Sequence, residues 1–224
     1  MNKVERMNDH EESLRMAIDG QMAQLWTAIP AIIQSFNATA QTVTAQPAIQ
    51  GVTTDKKQNK NYVNMPLLVD VPIQFMTAGG YSITCPISVG DECLIVFSSR
   101  CIDGWWQSGG VQRPMEARMH DLSDGFALIG VRSQSRTVAG YDTTKLQIRS
   151  DDHNTMIEVD KTGKVNISAP TSMTITTPLA TFTGNVNVSG TLTATTDVVG
   201  GGKSLKTHIH PGVTSGLSNT GAPL

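Results

Sequence analysis

The sequence predicts a mainly β chain that opens on one helix and closes on a polar tip. Three observations predict it. Short apolar or alternating runs recur between residues 27 and 132, punctuated by Gly, Pro, Asn and Asp. From residue 145 to 198, apolar residues or Thr alternate with polar ones at period two. Residues 200–224 are rich in Gly, Ser and Pro and hold a single His-x-His. The expected parts are a helical docking segment over 1–26, a barrel over 27–140, a strand array over 141–199 and a tip over 200–224.

The helix is read over residues 9–26. Asp9 with Glu12 three positions later has the pattern of a capping box. Leu14, Ile18, Met22 and Leu25 then recur at helical spacing, beside Ala17. A helix this short with one apolar stripe must bury that stripe against its own domain or a partner.

The runs IPAIIQSF, QTVTAQPAI, NMPLLVDVPIQF, ECLIVF and GFALIGV have the spacing of a small barrel or sandwich. Val89-Gly90-Asp91-Glu92 reads as the turn feeding a strand over Cys93–Phe97. Trp105 and Trp106 follow it, at a barrel mouth or an inter-domain surface. Cys85, Cys93 and Cys101 sit eight apart. Their odd count and spacing match neither a closed disulfide set nor a zinc motif, so all three are expected as buried thiols acting as small apolar side chains.

KLQIRS, TMIEVD, KVNISA, SMTITT, NVNVSG and TLTATT are the alternating segments, separated by turns such as Asp160-Lys161-Thr162-Gly163. Ten of the 26 residues from Thr171 to Thr196 are threonine. Segments so narrow and so poor in large side chains do not close a core alone. They gain one by winding against copies of themselves, which also hides their edges. An intertwined trimer is therefore expected.

At the tip, Gly200–Gly202 is expected to hinge the chain and Pro211-Gly212 to turn it. Between them lies His208-Ile209-His210. On an extended strand, alternate side chains share a face, so both imidazoles point the same way. Two ligands do not saturate a transition metal. Copied by a threefold axis, the pair becomes six imidazole nitrogens around one point. Octahedral nitrogen coordination fits ferrous iron and tolerates nickel, whereas zinc prefers four ligands. The competing reading is two solvated histidines in a polar tail.

This order of parts resembles the central spike of contractile-tailed bacteriophages. The resemblance rests on LLVDVPIQFMTAGGYSITCPISVGDECLIVFSSR with WWQSGG, and on KTHIHPGVTSG followed by Thr220-Gly221-Ala222-Pro223. It implies an OB-like barrel docked on the tail-tube hub of the baseplate and an intertwined trimeric β-helix ending in a sharp apex. It also implies a homotrimer in the virion tail that meets the host outer membrane during contraction. The iron ion of that family's apex, one per trimer, carries over to His208 and His210. No lysozyme-like insertion interrupts the chain.

Other classes find less support. The formal net charge of −2 gives no electrostatic case for a nucleic-acid partner. Aromatic residues are only 5% of the chain, fewer than a large monomeric core normally uses. No apolar run approaches the roughly 18 residues of a membrane span. The polar start MNKVERMNDHEES carries no signal-peptide pattern, so assembly in the host cytoplasm is expected. Nucleotide-binding and nucleophile-elbow motifs are missing from the required contexts, and no catalytic role is expected. Asp151-Asp152-His153 reads as a solvated turn and His120-Asp121 as a surface pair. The alternative function is an OB-fold binding module for oligosaccharide or single-stranded nucleic acid. A zinc enzyme using His208 and His210 would need a third ligand and a cleft.

Overall fold

The computed structural model describes residues 3–212 and 216, with side chains from His10 onward. The quoted stretch Thr220–Pro223 lies outside the described residues.

Helix α1 spans Lys3–Met22. It starts well before Asp9, so the capping-box pattern lies inside it. Residues 3–8 include neither Gly nor Pro, and helix propensity carries the helix through them. The helix ends before Leu25, through tightened bonds from Gln24 N to Gln21 O and from Leu25 N to Met22 O.

The barrel follows. Its elements are β1 (Ala28–Asn37), β2 (Thr42–Pro47), β3 (Gly51–Thr54), β4 (Lys60–Val63), β5 (Leu68–Gln74), β6 (Met76–Ala78), β7 (Tyr81–Ile83), β8 (Glu92–Phe97), α2 (Asp103–Ser108) and β9 (Gly125–Ile129). Five strands close in the order β1-β2-β5-β9-β8, and β8 returns to β1. All pairs are antiparallel except β5 with β9. This is an OB-like Greek-key barrel. The β3–β4 and β6–β7 hairpins stand as two-stranded arms outside it.

Alternation explains the closure. Ile29, Ala31 and Ile33 of β1 and Cys93, Ile95 and Phe97 of β8 all point inward. Val43, Ala45, Met65, Leu68, Val71 and Ala127 complete the core. Gly125 is required by contact: a Cβ there would lie 2.7 Å from Ile95 Cγ2. The turn before β8 forms as expected, with Gly90 at φ +91°.

Beyond the barrel, β10 (Lys145–Arg149), β11 (Met156–Asp160) and β12 (Val165–Ser168) form an antiparallel three-stranded sheet. Last come β13 (Val199–Gly200) and β14 (Lys203–Ser204). Instead of a loose hinge, Gly201 and Gly202 make the two-residue turn of this small hairpin, both at positive φ. The segments expected as strands over 172–177, 185–190 and 191–196 are irregular and exposed in the single chain. None of them meets a strand edge of its own chain.

Candidate functional site: the tip and the unpaired faces

The tip places His208 and His210 together. Their ring centroids are 4.9 Å apart and the rings meet edge to face. The backbone there is not a strand: residues 205–207 form a turn, and His208 N donates to Ser204 O at 3.1 Å. The His208 ring is oriented by the same turn. Its Nδ1 lies 3.0 Å from Ser204 O and 3.1 Å from Leu205 O. Carbonyl oxygens only accept, so Nδ1 carries the proton and Nε2 keeps its lone pair. A backbone carbonyl on one ring nitrogen, with the other free, is the arrangement that prepares a histidine to ligate a metal. The donor chemistry of His208 therefore fits a transition-metal ion, with the His210 ring beside it.

A second cluster has metal-capable spacing but a different role. Ligand atoms of Cys101, Asp103 and Asp124 lie within 4.8 Å of one another. Arg118 occupies their centre. Its Nη2 donates to Asp103 at 2.8 Å, to Asp124 Oδ1 at 3.0 Å and to Cys101 Sγ at 3.2 Å. Its Nε donates to Asp124 Oδ2 at 3.0 Å, and its Nη1 to Glu116 at 2.9 Å. The guanidinium already supplies the positive charge, holding the Asp103 carboxyl below its usual range. No local motif links positions 101, 103, 118 and 124, so sequence reading missed this cluster.

The cysteines differ from the expectation in part. Cys93 and Cys101 are buried, and burial pushes the Cys93 thiol up to about 11. Cys85 is exposed, because it follows the β6–β7 arm and not a barrel strand. Trp105 and Trp106 lie on α2, half exposed. Phe126 alternates with the inward Gly125 and Ala127, and Trp105 packs on it edge to face at 5.7 Å. The pair thus sits on the outer wall of the barrel. His120 Nδ1 bonds Trp26 O at 3.2 Å and ties the approach to β1 onto the β8–β9 connection.

The three-stranded sheet has two unlike faces. Leu146, Val159 and Val165 form one cross-strand row, and Ile148, Ile157 and Ile167 form the next. All six are between 37% and 68% exposed. The opposite face is polar and organised around Glu158, which is buried. Its carboxylate accepts from Gln147 at 2.9 Å, and from Lys145 and Asn166 at 3.0 Å each. These bonds, Gln147's first, hold the carboxyl below its usual range.

Every described side chain of α1 is exposed, including Leu14, Ile18 and Met22, and so is Leu25 beyond its end. Asp152 closes its own turn by accepting from Ser150 and Asn154, while Asp151 pairs with Arg132 at 3.2 Å.

Residues 29–130 match the family described as Phage protein Gp138 N-terminal domain, and residues 204–223 match the GpV Apex motif. The three-stranded sheet lies between the two matches. No curated protein matches the chain. Both families come from phage baseplate spike proteins, which places the chain in the virion tail among other baseplate proteins.

Proposed function

We propose that this chain is the piercing spike of a contractile phage tail: a homotrimer, structural and not enzymatic, that is driven through the host outer membrane when the tail contracts. The observation that carries this reading is the inverted sheet. Six aliphatic side chains in two ordered rows face outward, while a shielded glutamate organises the other face. A contiguous exposed apolar face of this kind marks an interaction surface. The irregular Thr-rich stretch after it, with Ile175, Phe182, Val186 and Leu192 exposed, needs the same cover. Copies of the chain winding around one axis supply both at once.

In this reading the barrel is a docking collar on the hub, and the stripe Leu14, Ile18, Met22 meets another chain or the baseplate. At the other end, His208 and His210 of three copies hold one ion, with iron the first choice and nickel or zinc the alternatives. The ion cross-links three chain ends that have almost no apolar core, and its binding free energy adds to folding.

Replacing both histidines with alanine tests the tip. The assembly should stay trimeric through the barrel and fibre while its metal content falls to background. Metal retained at the wild-type ratio would place the site elsewhere.

A further inference from the structure

From Ile167 to Gly212 every described residue is exposed except two, Asp197 and Ser204. Both are polar, and the nearby Ser204 hydroxyl is the first of the groups that hold the Asp197 carboxyl below its usual range. The same carboxylate accepts from Val198 N at 2.8 Å and from Lys206 N at 3.1 Å. Ser204 Oγ in turn accepts from Thr207 N at 2.9 Å. Leu205 N donates to Val198 O at 2.8 Å, across the hairpin. Asp197 therefore closes a ring of chain from 197 to 206. The two carbonyls that this ring fixes, those of Ser204 and Leu205, are the ones that take the His208 Nδ1 proton.

We propose that Asp197 and Ser204 are positioning residues for the tip histidines: a polar buckle that fixes the His208 tautomer and leaves Nε2 free for the metal. The proposal rests on the metal reading above. Asp197 lies outside the matched apex stretch, which begins at residue 204. An apolar core would ordinarily hold such a turn. Here an anionic acceptor for two backbone amides does so, because charge-assisted hydrogen bonds are about twice as strong as neutral ones. The carboxylate touches neither histidine, so its effect on the site passes through the backbone.

The test uses the full chain as wild type, Asp197→Ala, Asp197→Asn and Ser204→Ala. Loss of metal to a chelator is followed first. Removing an outer partner of a ligand typically costs about 10- to 100-fold in metal affinity. Asp197→Ala and Ser204→Ala should lose metal faster in that range. Asp197→Asn, which keeps an acceptor oxygen, should fall between them and wild type. The second measurement is the imidazole nitrogen shifts of metal-free protein. Wild-type His208 should carry its proton on Nδ1, and Asp197→Ala should shift it toward Nε2. Wild-type chelation rates in Asp197→Ala, or a His208 tautomer that the substitution leaves unchanged, overturn the buckle. A wild type that binds no metal at His208 and His210 overturns the metal reading instead, and the tautomer measurement then decides the buckle by itself.

Discussion

The guanidinium of Arg118 grips the carboxylate of Asp124 through two hydrogen bonds of 3.0 Å, and the Asp124 side chain is fully buried. Asp124 Oδ1 also accepts from Ile102 N at 3.0 Å, and its backbone carbonyl accepts from Ser98 N at 2.8 Å. One aspartate thus ties both ends of the long β8–β9 connection to the barrel.

Removing Arg118 should leave a buried charge without its partner. Breaking a buried pair this way costs about 3–5 kcal/mol. Arg118 is partly exposed, so Arg118→Ala should sit at the low end, about 3 kcal/mol by denaturant unfolding. Arg118→Lys should lose less, since it keeps the charge and gives up the fork. A loss below about 0.5 kcal/mol for Arg118→Ala would assign the pair to the surface class.

Gly125→Ala should destabilise the barrel by overpacking. Its new Cβ would meet Ile95 Cγ2 at 2.7 Å and Phe97 Cε1 at 3.3 Å. Added bulk in a closed core costs about 1–3 kcal/mol. Pairing it with Ile95→Val, which trims the clashing side chain, should recover part of that loss in the same unfolding assay.

Acid should weaken the three-stranded sheet through Glu158. Its carboxyl is held below the usual range by Gln147, Lys145 and Asn166. A depressed folded value means the stabilisation is complete above the ordinary glutamate pKa of about 4.3 and is lost as pH falls through the folded value. Thermal unfolding of wild type should steepen below that range, and Glu158→Gln should show a shallower acid slope. Parallel slopes would contradict the assignment.

Ile157→Asp should put a charge in the middle of the exposed aliphatic face. The single-chain barrel does not involve this residue, so its unfolding transition should persist. Assembly should fail, seen as a shift from trimer to monomer in mass photometry at nanomolar concentration. An unchanged trimer would mean that this face is not the interface.

The barrel was legible because its strands alternate. Ile29, Ala31 and Ile33, then Cys93, Ile95 and Phe97, announce their inward faces, and Gly90 marks the turn ahead of β8. The sheet was legible for the same reason, and His208 with His210 stood out as a chemical pair. Arg118 and Asp124 were not legible, since ion pairing across a loop leaves no periodic trace. The start of α1 was misplaced because Asp9 and Glu12 satisfy a capping pattern that helix propensity overrides. Asp197 and Ser204 look like ordinary turn residues until the turn shows which carbonyls they hold.

Mass in solution combined with elemental analysis of the same wild-type sample tests the central claim most directly. A spike pinned at its tip predicts three chains and one metal ion, iron first, per particle. A monomer without metal at micromolar concentration would contradict it.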